Sequence, residues 1–401
     1  LSTSNKVPNL LLDCGKPLIF KVANAKEAGL SPPTRRLGED LRTVVNSMTI
    51  FQKEALVTSA RTGTTWRMAS DEGAYLDGTD TAPAPLCYLT VGMVASYMNE
   101  ILALAKARDI DIKNIRLVQD NYYRMDGSML RGTMQASAYN VDLEVQIDAD
   151  VGRDKLMRLA LDGTAASPLN GLMKVSLESL FTLSHNGVEL TPEKALPIGR
   201  PAENDPGVMH DVVVPQAGDW SKHCVKGGVT PVHKNSASEA GSSLKDQQNR
   251  LLHLRGICTL RADGMKEIVQ HLFNPHGSVF TLLSDEGEEN NGSGRAPDAT
   301  SYISAGIGFC FMTQFGRYAK MKKKELDSYR ILQDSYFTVG GASGGTGKPG
   351  MADPLETHVY LESDEDEEFA KTILDVSEQT CFLHAFCRTD LKMKIKVTNF
   401  S

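Results

Sequence analysis

The chain has 401 residues, 41% of them hydrophobic and 23% charged, with a formal net charge of −7. That length can bury a sizeable core and fits two or three domains, while the mild acidity gives no electrostatic reason to expect nucleic acid or an anionic membrane as partner. Seven cysteines (Cys14, Cys87, Cys224, Cys258, Cys310, Cys381 and Cys387) are odd in number and lack a framework spacing, which points to a soluble protein of a reducing, cytoplasmic setting rather than a disulfide-stapled secreted domain.

Leu1 to Lys6 shows no basic region followed by an apolar run, so no signal peptide is visible, although a start at Leu leaves room for a segment removed earlier. Residues 1–14 read as a tail. Pro32-Pro33-Thr34 marks an entry into a helical pattern over Leu37 to Val45. Phe51 to Ser70 reads as strands closed by the turn signal Asp71-Glu72-Gly73. A Gly/Pro-rich connection, Gly78 to Pro85, leads into a long helix from Leu86 to about Ala107, apolar nearly all round; Asn99 and Glu100 within it favour a core helix over a membrane span. Ile115 to Tyr123, Met134 to Tyr139 and Val141 to Ile147 read as strands, and Asp150 to Gly152 opens a second helix running to about Ala165.

The same plan then recurs. Sliding the chain by 214 positions lays Cys310 on Ser96, Cys381 on Ser167, and Ser284-Asp-Glu-Gly287 on Ser70-Asp-Glu-Gly73. Tyr329 to Phe337 falls on Ile115 to Tyr123 at the same offset. A constant offset over such blocks predicts an internal duplication, too long in period for a solenoid. The expected division is a tail (1–14), a first domain (15–198) with serines at both positions, a Pro/Gly-rich linker (199–226) and a second domain (227–401) with the cysteine pair.

A long helix with a mid-helix cysteine, followed by a second cysteine just beyond a later helix, resembles the OsmC/Ohr family, which includes organic-hydroperoxide and hydrogen-peroxide reductases. The resemblance covers roughly 50–190 and 265–401. It implies an α+β fold in which long central helices pack against antiparallel sheets, with two copies fused as an intramolecular pseudo-dimer. It places Cys310 as the attacking thiolate and Cys381 as the resolving thiol, with a small-molecule peroxide substrate, an external thiol reductant and no cofactor. Such chemistry needs a second thiol to capture the sulfenic acid before further oxidation. The family's arginine, in a Gly-Gly-Arg-like turn, matches Ala60-Arg61-Thr62-Gly63, whereas the second copy has Pro275 there. Its glutamate is replaced by Thr300 in one copy and Leu86 in the other, leaving Asp298, Asp285 or Glu286 as nearby carboxylates. Phe309, Phe311, Ser96, Ser167 and Glu286 are the candidate substrate contacts.

Serine at positions 96 and 167 excludes thiol chemistry in the first copy. A rival reading assembles a zinc or copper site from Cys310, Cys381, His384 and Cys387, although on a helix Cys381 and Cys387 would lie about 9 Å apart along the axis; otherwise His384 is a satisfied core residue. Another small-molecule enzyme, or a catalytically silent binding protein, fits the same scaffold, and homo-oligomerisation stays open. Gly340 to Pro349 lacks the first glycine and the Ser/Thr of a phosphate loop and reads as a mobile hairpin loop. Glu362 to Glu368 reads as an acidic helix start, and Arg317 to Lys324 as a basic helix end.

Overall fold

The computed structural model describes residues 8–231, 242–290 and 292–400. The first half runs α1 (Leu10–Asp13), β1 (Ile19–Lys21), β2 (Gly38–Ser47), β3 (Lys53–Ser59), β4 (Thr65–Ser70), α2 (Pro85–Ala107), β5 (Ile112–Ser128), β6 (Gln135–Ala138), β7 (Val141–Ala149), α3 (Arg153–Ala166), α4 (Leu169–Lys174), β8 (Leu180–His185), β9 (Val188–Leu190) and β10 (Leu196–Pro197). After α5 (Met209–Val212) and β11 (Cys224–Val229), the second half runs β12 (Gln247–Leu260), β13 (Lys266–Asn274), β14 (Ser278–Ser284), α6 (Ala299–Lys322), β15 (Ser328–Thr338), β16 (Glu356–Glu362), α7 (Glu367–Thr380), α8 (Phe382–Cys387) and β17 (Met393–Asn399).

These elements make a mixed α+β architecture with two sheets, and each sheet takes strands from both halves. One has the order β1-β4-β3-β2-β15-β16-β8-β10, the other β11-β14-β13-β12-β5-β7-β17. The joins between halves are long antiparallel ladders: β2 with β15 from Gly38↔Thr338 to Asn46↔Arg330, and β5 with β12 from Arg116↔Thr259 to Ser128↔Gln247. The expectation of antiparallel sheets is modified at three places, where β16 and β10 flank β8, and β17 flanks β7, in parallel.

Two long helices fill the space between the sheets. Helix α6 lies on β2, β3 and β15, and α2 on β5, β12 and β13. They cross where both carry glycine: a Cβ on Gly92 would stand 2.6 Å from Ala299 O, and one on Gly306 would stand 2.9 Å from Leu89 N. Tyr88 and Tyr302 anchor the helix starts by donating their hydroxyls to the carbonyls of Ala69 and Leu283. By length and composition α2 could cross a membrane, yet 83% of its apolar window is buried in the protein.

One expectation is corrected. The helical pattern over Leu37 to Val45 is the strand β2: the β-branched run Thr43-Val44-Val45 is buried on both faces, with Val45 against the helices and Val44 in a second apolar cluster outside the sheet. That outer cluster, with Phe20, Leu30, Leu56 and Leu332, is covered by Val213 of the 199–226 connection, with Met209 and Trp220 packed against it. Of the tail, residues 1–7 lie outside the described residues, while Asn9 caps α1 and Leu11 is buried.

The acidic start of α7 is as expected: Asp366 accepts Phe369 N–H at 2.8 Å, and Glu367 and Glu368 occupy the first turn, where the dipole favours them. The Gly340–Pro349 loop is tied down. The buried carboxylate of Glu100 accepts the N–H groups of Ala342 (2.8 Å) and Ser343 (3.0 Å) and the Ser343 hydroxyl.

Candidate functional site

Cys310 sits on α6 one turn beyond the glycine crossing, and Cys381 is the single extended residue that ends α7 and begins α8. The break at Cys381 turns its side chain toward α6, and the two thiols meet, both buried. Cys310 donates its S–H to Cys381. Backbone N–H groups at the start of α8 reinforce the pair, Leu383 toward Cys310 and His384 toward Cys381.

Burial raises both thiols, but the pair shares one proton unequally. Cys310 is pushed well above an ordinary thiol by desolvation and by its hydrogen bond to Cys381, while that same hydrogen bond and the neighbouring His384 outweigh desolvation and hold Cys381 well below. Of the two, Cys381 is the more acidic thiol.

The first half repeats the geometry with hydroxyls. Ser96 Oγ and Ser167 Oγ are 2.7 Å apart, and Ser167 likewise ends α3, accepting Leu169 N–H at 3.2 Å.

Beside Cys310 lies a small cavity of about 40 Å³, lined on its polar side by Glu72, Tyr75, Arg250, Arg317, Thr313 and Gln314, and on its apolar side by Met125, Leu252, Leu272, Pro275 and Phe382. Glu72 comes from the first half. Its carboxylate accepts the Thr313 hydroxyl (3.0 Å) and the Tyr75 hydroxyl (2.6 Å), and burial raises its pKa. Lys53, also from the first half, is wholly buried. Desolvation lowers its pKa to about 8, against the fields of Glu72, Asp71 and Cys310. Arg317 is no solvated helix end: it is 3% exposed, and burial, reinforced by neighbouring Arg250, lowers it to about 9.

Other expected site residues lie elsewhere. Arg61 is paired with Glu39 and donates to Asn290 Oδ1 at 3.0 Å; it borders a separate pocket with Asp285 and Asp298. Glu286 accepts from Asn99 of α2 and from Ala299 N–H, so it belongs beside the serine-bearing helix, as Glu72 belongs beside the cysteine-bearing one. Asp285 is engaged by Ser293 and Arg295, and Asp298 caps α6. Phe309 packs on Tyr88 and Phe311 on Phe181, Phe315 and His384; neither lines the cavity. Ser96 and Ser167 satisfy each other rather than facing it.

The alternative metal set does not assemble: among the described residues no group of three or more His, Cys, Asp or Glu could hold an ion. Cys387 is a buried thiol raised to about 12 by desolvation, at the far end of α8. His384 is buried between Phe181 and Phe311, and both its charge and a hydrogen bond from its side chain favour the Cys381 thiolate.

Against known proteins, residues 292–396 match the family model described as OsmC-like protein. No curated protein matches the chain. Among solved structures, an OsmC-like hydroperoxide resistance protein from Jannaschia sp. CCS1 is 22% identical over 32% of this chain and 79% of that chain, with a TM-score of 0.20.

Proposed function

Taking residues 292–396 as an OsmC-like domain, we propose that the protein reduces hydroperoxides at the Cys310–Cys381 pair. The observation that carries this reading is the buried Cys310–Cys381 thiol contact opening on a cavity at Cys310. Cys310 passes its proton to Cys381 as it attacks the terminal peroxide oxygen. The O–O bond breaks, the alkoxide leaves and is protonated by solvent, and Cys310 becomes a sulfenic acid. Cys381 then attacks that sulfur; its proton leaves with the hydroxide as water, and a disulfide remains. An external dithiol supplies the two electrons that restore both thiols. One peroxide and one dithiol thus give alcohol, water and an oxidised reductant.

The same reading takes the chain as a tandem duplication folded as an intramolecular pseudo-dimer, its copies at 15–198 and 227–401, working in the cytoplasm. In its support, strands pass between the halves in both sheets, and each Glu of the repeated Ser-Asp-Glu-Gly turn serves the long helix of the other half. The serine site is then a structural relic, leaving one live site per chain.

The test is peroxide consumption by the full chain with tert-butyl hydroperoxide and a dithiol. Turnover should vanish in Cys310→Ser and persist in Ser96→Ala. Equal turnover in wild type and Cys310→Ser would exclude the reading.

A further inference from the structure

Arg250 and Arg317 are buried cations with work left undone. Arg317 gives Nε to Ser243 O (2.9 Å) and Nη1 to Gln314 Oε1 (3.4 Å), but its Nη2 has no partner among the described residues. Arg250 gives Nη1 to the Ser243 hydroxyl, and its Nε has none. Ser243 thus ties both guanidiniums at the wall of one cavity, the one that reaches Cys310. Neither makes an ion pair among the described residues, and the cavity's carboxylate, Glu72, is already engaged by Thr313 and Tyr75. A buried guanidinium with an unmet N–H is costly, and a second like charge beside it adds repulsion.

Charge counting gives the sign of the missing ligand: of the side chains lining the cavity, Arg250 and Arg317 face a single carboxylate, Glu72, leaving a surplus of one positive charge. Two guanidiniums lining one space suit the two oxygens of a carboxylate. At about 40 Å³ the cavity admits a head group and a short chain, not a bulky body.

We propose that this cavity is a carboxylate site, in which Arg250 and Arg317 hold a small organic anion so that the preferred peroxide carries its own carboxylate. The choice of substrate rests on the hydroperoxide reading above; the anion site itself does not.

Two measurements on the full chain separate them. In calorimetry, butyrate should bind to wild type and its neutral isostere butyramide should not, and butyrate affinity should fall at least tenfold in Arg317→Gln and in Arg250→Gln. Arg250 is the less buried of the two, so its variant serves if Arg317→Gln does not fold. In thiol oxidation, monoperoxysuccinate should react at least tenfold faster than its monomethyl ester, a gap that narrows in the variants. If butyrate fails to bind, or acid and ester react alike while tert-butyl hydroperoxide still oxidises the thiols, the carboxylate site is wrong and the peroxide reading stands. Arginine-dependent butyrate binding with thiols inert to every peroxide would uphold the site and sink the peroxide reading.

Discussion

Replacing either crossing glycine by alanine should destabilise the protein, although alanine is the better helix former. In an open helix Gly→Ala gains about 1 kcal/mol. Here the added methyl of Gly92→Ala would stand 2.6 Å from both Ala299 O and Ile303 Cγ1, and 3.0 Å from Ile303 N, whereas ordinary contact begins at 3.4 Å. Two of those atoms are backbone, so relief requires α2 and α6 to part. A gap of roughly 0.5–1 Å forfeits about a quarter to a half of each dispersion contact along the seam, and such overpacking costs about 1–3 kcal/mol. With two of the three contacts to backbone the cost falls in the upper part of that range, and the net expectation is a loss of up to about 2 kcal/mol for Gly92→Ala. Gly306→Ala should lose less, since its methyl would meet Leu89 N at 2.9 Å and Tyr88 Cβ at 3.0 Å. Urea unfolding followed by circular dichroism reads this as a lower midpoint at unchanged slope. An equal or higher midpoint for Gly92→Ala would refute the close helix crossing on which the position of Cys310 depends.

Removing the partner of Cys310 should silence the resting thiolate: Cys381→Ser leaves a buried Cys310 whose desolvation keeps it protonated, so the far-ultraviolet thiolate band seen in wild type at neutral pH should be absent. Burial lowers His210 to about 4 from its usual 6.5, with its Nε2–H donating to Val44 O at 3.2 Å. The unfolded chain therefore takes the proton first, and stability should fall by about 3 kcal/mol as pH drops from 6.5 to 4, with no alkaline counterpart. His210→Gln should show a visibly shallower acid loss in thermal unfolding. Glu100→Ala removes the acceptor for Ala342, Ser343 and the Ser343 hydroxyl, and should cost about 2–4 kcal/mol; limited proteolysis should then cut within 340–350, where wild type resists.

Much of the scaffold was legible because its signals are local. The long apolar helices, the strands around the Ser-Asp-Glu-Gly turns and the matched Ser96/Cys310 and Ser167/Cys381 positions all follow from periodicity and repeat. What escaped is non-local. Leu37 to Val45 alternates poorly because β2 is covered on both faces, which removes the period-two signature. Arg61 and Glu286 were assigned to the thiol site, yet Arg61 pairs with Glu39 and bonds Asn290, and Glu286 bonds Asn99 of the serine-bearing helix in the other half. The groups that do stand by Cys310 include Glu72 from the first half and Arg317, which the sequence presents as part of a basic helix end with Lys320 and Lys322. The repeated turn itself held the clue: Thr313 and Asn99 occupy matching helix positions, and each bonds the glutamate of the opposite copy.

The most direct test is peptide mass mapping of the full chain after one equivalent of tert-butyl hydroperoxide. The account predicts a Cys310–Cys381 disulfide, with the other five of the seven cysteines still free, including exposed Cys14. Seven free thiols, or oxidation confined to Cys14, would contradict it.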